Sequence, residues 1–466
     1  MQANKRRINA LGKVLLLVLL LGTMASGTTT ASPSEVAGGE PPDQRPNVLL
    51  VITDDQRSGR RATPDTNRRI VRKGTRFTNA YATTPACCPS RASIFTGQYS
   101  HNHGVIDNGS ADELSPRSTV AYYLKKNGYR TGLFGKYLNR WWNTSRHSEP
   151  RFFGMSAVIK GGHNSYYRGA EWNINGVIRV IDEYSTTFIQ RMAHRALRKW
   201  ERKRDPKPWF LVTSVTAPHG PFTTLRKYRH VPVPEYVPET EKDKSDKPTY
   251  VQNAHVSPEK GTRRQVKERR ALLPVDDLVD EVLADLRSKD ELENTLIIFI
   301  SDNAVMWGEH GLLYKSFPYT EDIQVPFYMR WDGHTFPGTV DDRFVGNIDV
   351  TPTILEAAGV DESVWGSMDG NSLLDATWER DRIHLEYLGA SKVSGAWAST
   401  RTRDYQYTEY YNELGETQFR EYYDLLTDPL QMVNLYEDGD PLNNPPTFLL
   451  ESQLDSDVQC EGESCP

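Results

Sequence analysis

The chain has 466 residues, 38% hydrophobic and 25% charged, with a formal net charge of −5. That length exceeds one ordinary core, so two domains are the default expectation, and the composition is that of a soluble globular protein. The acidic balance leaves no global basic field for nucleic acid or for an anionic membrane surface.

Lys5, Arg6 and Arg7 precede an apolar run from Val14 to Leu21, and small residues follow from Gly22 to Ser32. This is the layout of a secretory signal peptide over residues 1–32, cleaved between Ala25 and Ser32. The run is shorter than the ~20 residues of a comfortable membrane span, so no stable span is expected. An uncleaved N-terminal anchor is the alternative. The expected destination is secretion or another exported compartment, whether periplasmic, extracellular or lysosome-like. Residues 33–45 are rich in Pro, Gly, Ser and acid and read as a linker.

Pro46 opens a buried-strand pattern over Asn47 to Thr53, and similar apolar or β-branched runs occur at Trp209 to Val215 and Thr295 to Ile300. Arg130 to Phe134 is another strand-like piece. Amphipathic patterns lie between them. The clearest is the stripe Val275, Leu278, Val279, Val282, Leu283 and Leu286 at i, i+3, i+4, i+7 spacing. Continuous apolar strands alternating with such helices predict an α/β fold with a large, mostly parallel sheet sandwiched by helices. Residues 235–270 are polar and read as a long surface insertion. From about residue 380 short strand-like pieces follow one another at Ile383 to Tyr387, Ala396 to Thr400, Tyr405 to Glu409 and Glu421 to Asp424, with a hairpin turn over Asn412 to Thr417. They predict a smaller C-terminal antiparallel α+β subdomain over residues 380–436. Residues 437–466 read as an extended tail.

Three polar clusters sit at the carboxyl ends of the three main strands: Asp54-Asp55-Gln56, Pro218-His219 and Asp302-Asn303. In open α/β sheets ligands bind along that edge, so these distant segments are expected to converge. Asp54, Asp55, Asp302 and Asn303 offer only oxygen ligands, which suit Ca²⁺ or Mg²⁺ rather than zinc. Each pair alone could equally cap a helix or fill a turn. Cys87-Cys88-Pro89-Ser90-Arg91 reads as a helix start, where free N–H groups favour an anion and lower a thiol pKa. A buried structural cysteine pair is the alternative. A bridge between these neighbours would be strained, whereas Cys460 and Cys465 could close a small loop in the tail. Lys136 and Lys315 each follow a Gly-containing break, and His219 lies in a stiff Ala-Pro-His-Gly-Pro loop.

The Cys-x-Pro-Ser-Arg stretch resembles the signature of the type I, formylglycine-dependent sulfatases of the alkaline phosphatase superfamily. Pro46 to Gln56, Cys87 to Gln98, Gly135-Lys136, Ala217 to Pro221, Ser301 to Asn303, Lys315 to Pro326 and Tyr422 to Leu435 appear in that family's order. Tyr99 to His103, Gly135 to Asn139 and Leu273 to Leu278 look closest to the N-acetylglucosamine-6-sulfatase and heparan endosulfatase branch. The resemblance implies an alkaline-phosphatase-like fold, with a sulfatase catalytic domain over residues 46–379. It also implies that Cys87 is converted to Cα-formylglycine by a separate formylglycine-generating enzyme. Asp54, Asp55, Asp302, Asn303 and the modified Cys87 would bind Ca²⁺, in preference to Mg²⁺, and Arg91 would hold the formylglycine. Lys136 and Lys315 would bind sulfate oxygens, and His219 would protonate the leaving alcohol. One hydroxyl of the hydrated aldehyde would attack sulfur, and the second would expel sulfate.

Two positions depart from the family pattern. The usual His two residues after Lys136 is Leu138, so Asn139, His101 or His103 could take the elimination-base role. The usual Gly after Asp302-Asn303 is Ala304. His310 is a candidate substrate contact, with a purely structural loop role as the alternative. The expected substrate is a sulfated small molecule or polysaccharide, such as a glycosaminoglycan or an algal polysaccharide. The rival readings are a phosphonate or phosphate monoester hydrolase of the same superfamily, and a catalytically silent metal- or carbohydrate-binding relative with Cys87 unmodified. Asn108-Gly109-Ser110 and Asn143-Thr144-Ser145 are glycosylation sequons, usable only in a host that glycosylates.

Overall fold

The computed structural model describes residues 44–59, 63–141, 149–160, 166–201, 207–389 and 393–466. The expected signal peptide, most of the linker and the sequon at Asn143 lie outside them. Residues Asp43–Pro466 form one compact unit.

Sixteen strands are present among the described residues. In chain order they are β1 Asn47–Asp54, β2 Thr75–Tyr81, β3 Arg130–Gly135, β4 Met155–Ile159, β5 Ala170–Ile174, β6 Val177–Ile181, β7 Trp209–Pro218 and β8 Thr295–Ser301. They continue as β9 Met306–Trp307, β10 Leu313–Tyr314, β11 Phe327–Arg330, β12 Thr339–Gly346, β13 Ile383–Tyr387, β14 Ala396–Arg401, β15 Tyr405–Tyr411 and β16 Thr417–Asp424. Ten of them form one sheet in the order β12-β2-β11-β8-β1-β7-β3-β4-β5-β6. The central strands β8, β1, β7, β3 and β4 are all parallel, and antiparallel pairs flank them. The expected mostly parallel sheet is therefore found.

The continuous apolar runs have a simple cause. Strands β1, β7 and β8 are covered on both faces, so both alternating side-chain sets must be apolar. Val48, Leu50 and Ile52 enter one core layer with Ala92 and Phe95 of the helix Cys87–Thr96 and Ile354 of the helix Val350–Ala357. Leu49 and Val51 enter the opposite layer with Phe188, Ile189 and Met192 of the helix Ser185–Glu201. The predicted stripe from Val275 to Leu286 is buried in that same layer. Its helix is longer than the stripe, however, and runs Pro258–Arg287. Ser257 caps it by accepting from the Lys260 N–H, and Pro258 opens it. Residues 258–270 of the expected surface insertion are thus helical.

Strands β13 to β16 form the expected antiparallel four-stranded sheet. Residues 437–466, read as an extended tail, instead carry a helix over Thr447–Asp457. Its Leu450 and Leu454 pack on Ala398 and Tyr407 of the small sheet. Cys460 and Cys465 form a disulfide, packed beside Tyr99 and Ile348. Among the described residues, no helix is long and apolar enough to cross a membrane.

Candidate active site

Because β8, β1, β7 and β3 are neighbours and parallel, their carboxyl ends share one sheet edge. Asp54 ends β1, and Asp55 follows in the left-handed region at φ 68°. Asp302 and Asn303 follow β8, His219 follows β7, and Lys136 follows β3. Gly135 permits the last placement. At φ 119°, a Cβ on it would lie 1.7 Å from the Ser214 carbonyl oxygen. Cys87 is the first residue of its helix. Cys88 donates its backbone N–H to Oδ1 of Asn108, so that first turn is capped from a distant loop.

These side chains form one buried cluster. Cys87 Sγ lies 3.5 Å from Asp54 Oδ1 and 2.7 Å from Lys315 Nζ. Lys315 also bonds Asp55 and lies 3.2 Å from Asn303 Oδ1. Lys136 Nζ is 2.7 Å from Asp54 Oδ2. Arg91 donates Nε to Asp302 Oδ2 at 2.8 Å, and Nη1 to Ser214 Oγ at 2.7 Å and the Lys136 carbonyl at 3.0 Å. The other Asp302 oxygen accepts the backbone N–H groups of Asp55 and Asn303. His219 Nδ1 donates to the Gly220 carbonyl at 2.9 Å, and its Nε2 lies 3.8 Å from Asp55 Oδ2. The Tyr166 ring meets the imidazole edge-on, and Tyr167 holds the His219 carbonyl at 2.6 Å.

Three carboxylates here meet three cations in a water-poor space. Burial works to raise the Asp54 carboxyl, but Lys136, His219 and Arg91 hold it far below the usual range. Asp55 is likewise lowered, against burial, chiefly by Lys315. Cys87 differs from expectation. Burial pushes its thiol up to about 12, because Lys136 and Lys315 do not offset desolvation beside two carboxylates.

The donor set fits a hard divalent cation. Ligand atoms of Asp54, Cys87 and Asp302, and of Asp54, Asp55 and His219, lie within 4.8 Å of one another. Asn303 brings an amide oxygen to the same cluster. Arg91 Nη2 is buried without a hydrogen-bond partner, a donor still available to a group in this space.

Other expected residues sit elsewhere. His310, a candidate substrate contact with a structural loop role as the alternative, has a fully buried ring that bonds Glu241 and stacks on Tyr319 at 4.1 Å. His101 spends both nitrogens on Glu386 and the Cys460 carbonyl. His103 is held between Ser93 and the Val105 N–H, and burial pushes it down to about 4. Leu138 is core, and Asn139 Oδ1 is buried without a partner. The loop bearing Lys315 is fastened by the small sheet: Trp397 Nε1 and Ser394 Oγ both donate to the Ser316 carbonyl.

The sulfatase family model matches residues 46–360. The chain belongs to the sulfatase family. A second model, described as N-sulphoglucosamine sulphohydrolase, C-terminal, matches residues 308–455. The extracellular sulfatase SULF-1 homolog of Drosophila melanogaster is 33% identical over 73% of the chain, which spans only 32% of that protein's length. A Caenorhabditis elegans relative is also longer, and the chain spans 51% of it. Human N-acetylglucosamine-6-sulfatase is 30% identical over 85% of the chain and 82% of its own length. A solved structure in complex with its substrate D-glucosamine-2-N,6-O-disulfate matches with TM-score 0.76 and 23% identity, covering 88% of this chain and 97% of the other.

Beside this sulfatase cluster, Glu268 lies buried between Arg264 Nε, at 2.7 Å, and Trp307 Nε1. Burial pushes it up to about 7, against the pull of Arg264. The folded chain therefore keeps a proton that the unfolded chain loses near 4.5. Stability should fall as pH rises from that value to about 7. Glu268→Gln is expected to flatten this slope by up to about 3 kcal/mol, read as urea midpoints on either side of the window.

Proposed function

We propose that this protein hydrolyses sulfate esters of carbohydrate, with Cys87 converted to Cα-formylglycine and Ca²⁺ held by Asp54, Asp55, Asp302 and Asn303. One observation carries the reading: in a chain of this family, acids, lysines and an arginine all surround the Cys87 side chain at one sheet edge. When present, the cation supplies Lewis-acid stabilisation of charge on the transferring group, and the formylglycine hydrate supplies the attacking hydroxyl.

The chain's own residues have distinct tasks. Arg91 orients the Cys87 region through Asp302 and Ser214. Lys136 and Lys315 leave their carboxylate partners to meet sulfate oxygens, where fixed positive charge favours the transition state. His219, with Nδ1 committed to the Gly220 carbonyl, presents Nε2 as the group that protonates the leaving alcohol. His101 and His103 are committed to structural bonds, which leaves Asn139 as the remaining candidate for the elimination role. The names of the relatives support a 6-O-sulfated glucosamine unit as the substrate. The basic N-terminal run and apolar segment support export, and maturation would require a formylglycine-generating enzyme.

The test uses 4-nitrophenyl sulfate, N-acetylglucosamine 6-sulfate and 4-nitrophenyl phosphate side by side, before and after chelation. Sulfate release that is lost with chelator and restored by Ca²⁺ is the expected result. Faster phosphate than sulfate release, or sulfate release indifferent to chelation, would overturn the reading.

A further inference from the structure

A cleft of 480 Å³ opens beside Asp55 and His219. One wall is the first three turns of the helix Pro258–Arg287. Lys260, Arg263, Arg264 and Lys267 all line the cleft. Their spacing of i, i+3, i+4 and i+7 places four cations on one helical face. Among the described residues, no carboxylate lies within salt-bridge distance of Lys260, Arg263 or Lys267. Arg264 is the anchored member, paired with Glu268 and held over the Phe222 and Tyr314 rings at 5.2 and 4.9 Å.

The aromatic part of the lining sits on strained backbone. Phe222 and Tyr314 both sit at positive φ, 64° and 78°, and Tyr314 is 68% exposed. Non-glycine residues persist there when the surroundings impose the conformation, commonly beside a ligand site. The basic helix is also fixed close to the cluster. A Cβ on Gly261 would lie 1.5 Å from the Trp307 carbonyl oxygen, so only glycine lets the helix approach this far. Unpaired cations in a concave site adjoining the leaving-group histidine, with an aromatic floor, have the chemistry of a subsite for an anionic sugar.

We propose that this cleft receives a second anionic substituent, carried by the sugar whose sulfate ester is cleaved, and so selects polyanionic saccharides over singly sulfated ones. The inference rests on the sulfatase reading. Lys260, Arg263 and Lys267 act as specificity-determining residues, while the scissile sulfate is handled by the buried cluster.

The test compares glucosamine 2-N,6-O-disulfate with N-acetylglucosamine 6-sulfate, which share the 6-O ester and differ in charge at N2. The intact protein should favour the disulfate by about tenfold in kcat/KM at low salt. That preference should shrink as NaCl rises from about 0.05 to 0.3 M, because exposed charges are screened over that range. The Lys260→Ala, Arg263→Ala, Lys267→Ala triple variant should bring the ratio near unity. Equal kcat/KM values in the intact protein, a salt-independent ratio, or an unchanged ratio in the triple variant would each overturn the subsite while leaving sulfatase activity in place. Absence of turnover on both sugars and on 4-nitrophenyl sulfate would instead defeat the sulfatase reading, and the subsite with it.

Discussion

Replacing Cys87 by alanine is expected to lower kcat/KM on a sulfate ester by at least about 10⁴-fold, the scale seen when a covalent nucleophile is removed. The substitution removes one buried sulfur and leaves the helix start, Arg91 and the lysines in place, so the circular dichroism spectrum should not change. The thiol itself is ill suited to attack. Burial pushes it up to about 12, so at neutral pH it stays protonated. Peptide mass spectrometry across Cys87 in the active protein should show an aldehyde in place of the thiol. Activity retained within tenfold in Cys87→Ala would sink the proposal, whatever the spectrometry shows.

Much of this arrangement is legible in the sequence for a physical reason. A parallel strand buried on both faces must be a continuous apolar run, and its function-bearing residues must follow where the run stops. Asp54, His219 and Asp302 announce themselves that way, and the topology then brings them together. The resemblance to the family adds Lys136 and Lys315, which no periodicity distinguishes from surface lysines.

The failures have physical causes too. The first turns of the helix Pro258–Arg287 carry no apolar stripe, because their buried positions are Gly261, Gln265 and Glu268. That segment packs through a bare backbone contact with Trp307 and through hydrogen bonds from Gln265 and to Glu268, to which hydrophobic periodicity is blind. A basic i, i+3, i+4, i+7 pattern over Lys260 to Lys267 was the available signal. The helix Thr447–Asp457 is similarly hidden, since it buries Leu450 and Leu454 amid polar residues. His310 carries a signal that the sequence leaves open. A histidine in a glycine-rich loop near the site looks available, but its ring is stacked on Tyr319 and bonded to Glu241. The Cys87 thiol shows a competition of magnitudes: complete burial beside Asp54 and Asp302 outweighs the pull of Lys136 and Lys315.

Arg91→Ala should be the most destabilising single change in the cluster. The guanidinium and Asp302 are both fully buried, with side-chain exposures of 0% and 0%. Removing the guanidinium leaves buried Asp302 with two backbone N–H groups and Lys136 Nζ at 3.9 Å, and breaking a buried pair in this way costs about 3–5 kcal/mol. The loss propagates to the site, because the same guanidinium also holds the Lys136 carbonyl and Ser214 Oγ. Activity should therefore fall by at least about 10²-fold. Arg91→Lys separates charge from geometry. It keeps a cation beside Asp302 but cannot span the carboxylate, the Lys136 carbonyl and Ser214 together. Its urea midpoint should recover by more than half while its kcat stays low. Equal recovery of both quantities would mean that Arg91 serves only as buried countercharge, and that the placement of Lys136 does not depend on its fork.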